Sequence, residues 1–121
     1  MRVACPWFEP VDRAVLTDRP QPARSPLGLL YSGFCRAGSA PATPPDAILH
    51  EECNFGYGRG RCPWFPASSE ADAVRFAWRS ERLMWILERE YAPVAHGFCD
   101  EGTRGAEMDR QAAAFRSGCP R

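Results

Sequence analysis

The chain has no lysine: all fifteen of its basic residues are arginine, and fifteen acidic residues balance them to a net charge of zero. Neither sign gathers into a long block, which excludes the basic footprint of a nucleic-acid-binding surface. Functional selection for arginine would favour clustering, and only Arg59 and Arg61 stand close together, so codon bias accounts for the composition more simply. No stretch approaches the roughly 20 apolar residues of a membrane span. The start, Met1-Arg2-Val3-Ala4-Cys5-Pro6, lacks the long apolar run of a secretory signal. These absences place the expected home in a reducing cytoplasm, with no membrane partner. There is also no CxxC pair, and no Ser-His-Asp or Cys-His-Asp spacing stands out, so no enzyme active site is visible.

What is present is a chain of 121 residues with 45% hydrophobic content, the size and composition of one globular domain spanning 1–121. A domain this size buries roughly two thirds of its unfolded surface and needs no covalent staples. Its six cysteines therefore ask for another explanation, and in a reducing compartment they read as metal ligands or redox groups before they read as disulfides.

The richest stretch is Cys53-Asn54-Phe55-Gly56-Tyr57-Gly58-Arg59-Gly60-Arg61-Cys62-Pro63-Trp64-Phe65, whose last four residues repeat Cys5-Pro6-Trp7-Phe8. Four shared residues without a longer period do not make a repeat architecture, so the copies read as two similar ligand turns. With Cys35 between them, the candidate ligands are Cys5, Cys35, Cys53 and Cys62, separated by 29, 17 and 8 residues. Structural zinc usually takes paired cysteines on tight knuckles, which are missing here. An iron–sulfur cluster is wider than one ion and tolerates long, unequal spacings; Pro also follows Cys at 5, 62 and 119, as it does after a ligand in ferredoxin-type runs.

Gly56, Gly58 and Gly60 permit close backbone approach, so their N–H groups are candidates to point at sulfur. Trp7, Phe8, Phe55, Trp64 and Phe65 would wall a cluster from water, and would equally serve as ordinary core. An iron–sulfur cluster of [4Fe-4S] type, a structural zinc ion, and disulfides or unconnected buried thiols all remain open from the residues alone. Cys99 and Cys119 are left over, as thiols without a role or as a redox pair. Of His50 and His96 neither is assigned a site role; His50, three residues before Cys53, is the reserve ligand for zinc. Gly56 to Gly60 superficially suggests a phosphate loop or an RNA contact, but neither strand-to-helix context nor positive charge supports it.

The coarse organisation is α+β: a small single domain with a β-hairpin or small antiparallel sheet, two short helices and a cysteine-rich metal-binding loop region. Residues 17 to 28 and 37 to 45 read as proline-rich connectors, with Leu27 to Cys35 a turn-rich segment. Thr43-Pro44-Pro45 predicts a helix running to about Cys53. Within 72–91, alternation of Val74, Phe76 and Trp78 favours a hairpin over a helix capped by Ser69 and Asp72. Glu88 and Glu90 lie in a charged stretch that reads as solvated. Past Pro93 a loop is expected, and then a closing helix from Ala106 to Ser117 with Met108, Ala112 and Phe115 on one face.

One set of residues also carries a resemblance. Cys5-Pro6 with Phe8-Glu9-Pro10, Pro26-Leu27-Gly28 leading to Gly33 and Cys35, and Cys53 to Tyr57 leading to Cys62 and Phe65-Pro66 resemble small, largely uncharacterised bacterial cysteine-rich proteins. The likeness extends through Asp72 to Phe76, Pro93-Val94, His96-Gly97 and Gln111, Ala112 and Phe115. It implies a four-cysteine iron–sulfur site held by Cys5, Cys35, Cys53 and Cys62, with Cys99 and Cys119 outside it. The function expected is electron transfer or redox sensing with a redox partner protein. The alternative is a zinc-stabilised interaction module.

Overall fold

Residues 73–89 fold as the alternation predicts, because a period of two buries every second side chain of a pleated strand. In the computed structural model, which describes residues 4–13, Leu27 and 30–119, β3 (Ala73–Arg79) pairs antiparallel with β4 (Arg82–Arg89). Val74 faces Leu87, Phe76 faces Trp85 and Trp78 faces Leu83 across the ladder. Such aromatic and branched cross-strand pairs are the units that stabilise a sheet.

The chain does not leave the sheet at Pro93. β5 (Ala92–Phe98) continues antiparallel to β4, giving the order β3-β4-β5. The expected loop is a strand because β5 is an edge, where proline's missing N–H breaks no ladder. The register shifts between Leu87 and Glu88, opposite Pro93. Leu27 to Cys35 is likewise more regular than expected: β2 (Tyr31–Cys35) pairs antiparallel with β1 (Phe8–Arg13) as a separate two-stranded sheet. Gly33 makes that pairing possible, since a Cβ there would lie 1.9 Å from the Glu9 carbonyl oxygen. The proline-rich connector at 17–28 lies outside the described residues except for Leu27, which is buried.

Two helical segments complete the α+β domain. α1 (Asp46–Ile48) starts after Pro45 and continues as a π-helical turn, Leu49–Cys53, so the expected helix is present but widens before its last cysteine. α2 (Ala106–Gly118) lays Met108, Ala112 and Phe115 into the core. The Phe115 ring stands 5.7 Å from Phe76 and 6.4 Å from Trp78. Burying a side chain of this size contributes about 1.5–3 kcal/mol relative to leaving it exposed. Paired backbone bonds between Ala4 and Val74, both 2.8 Å, join the segment carrying Cys5 to the three-stranded sheet. No helix among the described residues is long and apolar enough to cross a membrane.

The charged stretch at the end of β4 is solvated at Arg89 and Glu90, as expected, but not at Glu88. Glu88 is 1% exposed; it accepts the Tyr57 hydroxyl at 2.7 Å and the Arg75 Nε–H at 2.9 Å. Ser69 and Asp72 cap no helix. Asp72 instead binds Arg59 and accepts the Glu90 N–H at 2.9 Å. That contact supports the turn between β4 and β5, where Glu90 and Tyr91 both have positive φ, 54° and 66°. Tyr91 N–H donates to the Tyr57 hydroxyl at 3.0 Å, and the two rings stack at 4.2 Å.

Burial alone would raise the Asp72 pKa, but Arg59 and the Glu90 N–H outweigh it and hold the carboxyl below its usual value. Its contribution is therefore complete above the unfolded-state value and is lost as pH falls through the folded one. Asp72→Asn should be less stable than the parent near pH 7, by about 1–3 kcal/mol. The gap should narrow below about pH 4. Urea unfolding at both pH values measures it; a pH-independent gap would contradict the assignment.

Candidate metal centre

Four different parts of the fold bring Cys5, Cys35, Cys53 and Cys62 to one cavity. Cys5 precedes β1, Cys35 ends β2, Cys53 ends the π-helical turn and Cys62 follows the glycine loop. Phe8, Trp64 and Phe65 contribute aromatic walls. Backbone bonds hold the ligand segments to one another: Cys5 N–H donates to the Cys53 carbonyl at 3.1 Å, and Arg36 N–H to the Trp7 carbonyl at 2.8 Å. Cys35 exchanges both backbone bonds with Ala42, at 2.7 and 3.1 Å.

The two Cys-Pro-Trp-Phe copies have the same local shape. Phe8 N–H returns to the Cys5 carbonyl at 3.2 Å and Phe65 N–H to the Cys62 carbonyl at 3.1 Å. Each is a four-residue turn with proline at its second position, where the fixed φ suits the bend. The copies differ in burial: Phe8 is enclosed, whereas Trp64 is 39% exposed. The site thus has an inner turn and an outer one.

The outer turn is moored by Arg59. Its guanidinium binds Asp72 at 2.5 Å, donates to the carbonyls of Ala67 and Ser69 at 3.0 and 2.7 Å, and lies over the Phe65 ring. Gly58 lets the loop close, because a Cβ there would meet Cys62 Cβ at 3.1 Å and Glu52 Cγ at 3.5 Å. Cys62 N–H then bonds the Gly58 carbonyl at 2.7 Å.

Two buried carboxamides align the remaining ligands. Asn54 accepts Tyr31 N–H at 2.9 Å and donates to the carbonyls of Tyr31 and Leu49 at 3.0 and 2.9 Å, fixing β2 against the π-helical turn beside Cys53. Gln111, fully buried on α2, donates through Nε2 to the carbonyls of Cys5 and Phe8, both at 2.7 Å. Sequence reasoning passed over both. Gln111 falls three residues after Met108 on the apolar stripe of α2, and a carboxamide inside such a stripe is a readable sign of a buried hydrogen-bonding task.

Burial pushes the Cys5 thiol up to about 12; the charges of Cys35 and Cys62 add to this, while the N–H groups of Trp7 and Phe8 oppose it. Cys53 is raised by burial and then by the other three thiols and Glu52. Cys35 is raised by burial and by Cys62, against the Ala37 N–H. The amides of Trp7 and Phe8 face the Cys5 sulfur and that of Ala37 faces the Cys35 sulfur. Burial and neighbouring charge oppose thiolate formation at Cys5, Cys35 and Cys53, and a bound cation would relieve both. That donor chemistry fits a thiolate-bound metal centre.

As the side chains stand, the cavity volume is about 10 Å³, room for about one atom-sized occupant. Among the described residues no group of three or more His, Cys, Asp or Glu side chains is placed to hold a metal ion. Cys99, on a 3₁₀ turn after β5, and Cys119, after α2, do not line the cavity. His50 does not line it either, and both of its buried ring nitrogens lack a hydrogen-bond partner among the described residues. His96 is exposed on β5. No family model, curated protein or solved structure matches the chain.

Replacing Asn54 by Leu would take the side-chain partner from the buried Tyr31 N–H and Tyr31 carbonyl, at about 1–3 kcal/mol for each group, while the Leu49 carbonyl keeps the residue-54 backbone N–H at 3.3 Å. Asn54→Leu should therefore lower unfolding free energy by at least about 2 kcal/mol. Denaturant titration checks this, and a change under about 0.5 kcal/mol, the level of an ordinary surface substitution, would refute the anchoring role.

Proposed function

We propose that the protein binds an iron–sulfur cluster of [4Fe-4S] type through Cys5, Cys35, Cys53 and Cys62, and serves one-electron transfer or redox sensing with a partner protein in the cytoplasm. The observation that carries this reading is the convergence of these four thiols, from four separate segments, on one cavity with aromatic walls. As the side chains stand, no group of three or more His, Cys, Asp or Glu among the described residues is close enough to hold a metal ion. Holding an iron–sulfur core entails outward movement of the lining from its present volume of about 10 Å³. When bound, the cluster supplies a site that takes up one electron from a donor protein and passes it on. The chain's own part is to fix four sulfurs, aim the N–H groups of Trp7, Phe8 and Ala37 at two of them, and exclude water.

The small volume of the cavity favours a second reading, one zinc ion that only stabilises the fold. Anaerobic purification followed by iron, acid-labile sulfide and zinc analysis separates the two. The expected result is brown protein with near-equal iron and sulfide. Cys53→Ser or Cys62→Ser should lose most of the iron, while Cys119→Ser should keep it. Colourless protein that takes up neither iron nor sulfide on chemical reconstitution would end the cluster reading.

A further inference from the structure

Glu52 precedes Cys53 and lines the same cavity as the four thiols. Its side chain is 8% exposed; Oε1 is bridged to Arg61 at 2.9 Å. Oε2 is buried and has no hydrogen-bond partner among the described residues. An unshared carboxylate oxygen in an apolar wall is costly to keep, and nothing in the packing of the helical turn requires an acid there.

The ion pair is also lopsided. The Arg61 side chain is 61% exposed, so water and salt screen its charge far more than they screen the carboxylate. The field reaching the thiols is therefore negative on balance. Gly58 packs beside Glu52 and Cys62, since a Cβ there would press on Cys62 Cβ at 3.1 Å and touch Glu52 Cγ at 3.5 Å.

We propose that Glu52 lowers the reduction potential of the centre and that Arg61 limits how far. This rests on the cluster reading above. Reduction adds one electron, supplied by a donor protein or by dithionite in vitro, and makes or breaks no bond. A fixed negative charge at the cavity wall opposes that electron, and net charge around a cluster is one of the main settings of its potential.

The test is an anaerobic redox titration of the cluster-loaded protein with dithionite and mediator dyes, followed by visible absorption and EPR. Glu52→Gln should shift the midpoint positive by about 60 mV or more, a tenfold change in the one-electron equilibrium at about 59 mV per decade. Glu52→Asp, which keeps the charge, should stay near the parent, and Arg61→Gln should shift negative. Loaded variants whose midpoints equal the parent's, or move in the same direction, would overturn the proposal. If Glu52→Gln does not retain the cluster, Arg61→Gln decides alone: its side chain is largely exposed, and an unmoved midpoint refutes the idea. Parent protein that never takes up iron and sulfide defeats the cluster reading itself, a failure distinct from an unmoved potential.

Discussion

The cavity depends on two buried carboxamides doing what no regular ladder could. The four cysteine segments belong to a two-stranded sheet, a π-helical turn and a long loop, which share few backbone bonds. Asn54 and Gln111 each donate to buried carbonyls, Asn54 to that of Tyr31 and Gln111 to those of Cys5 and Phe8, and each spans elements far apart in sequence. Because an unsatisfied buried carbonyl costs more than a formed bond returns, these contacts act as constraints: alternative arrangements of β1, β2 and the π-helical turn leave orphans. The thiols converge because the backbone around them has few other ways to be satisfied.

A second layer of constraint comes from charge. Arg59 joins the glycine loop to Asp72 and two carbonyls, and Glu88 collects Tyr57 and Arg75 behind it. Only the arginine fork, with several donors in one plane, could serve a carboxylate and two carbonyls at once. The absence of lysine from the chain thus has a structural counterpart at this position, whatever its genomic origin. The pair Glu9 and Arg36, at 2.6 Å, closes the small sheet in the same manner.

Much of this was legible in the residues. The hairpin at 73–89 and the closing helix follow from their periodicities, and the two Cys-Pro-Trp-Phe turns follow from proline's fixed φ. The strands at 31–35 and 92–98 were not legible as strands, since the first is short and carries Gly33 and Cys35, and the second opens on a proline that only an edge position tolerates. Glu88 misled for a different reason: a charged residue reads as solvated unless its partners are known, and Tyr57 and Arg75 are brought to it only by tertiary folding. The two Cys-Pro-Trp-Phe copies, with Cys35 and Cys53 between them, likewise singled out four cysteines without saying that they meet.

The turn joining β4 to β5 places two residues with side chains, Glu90 and Tyr91, where glycine or asparagine would be comfortable. Left to itself, such a sequence would not bend there. It bends because Asp72 and Tyr57 hold its two N–H groups from outside, and Tyr57 sits in the loop that leads to Cys62. The last hairpin of the sheet is therefore conditional on the cysteine loop being docked, which inverts the usual order in which a local turn precedes long-range contact. Tyr91, 75% exposed at the tip, becomes a surface indicator of whether the loop beneath it is in place.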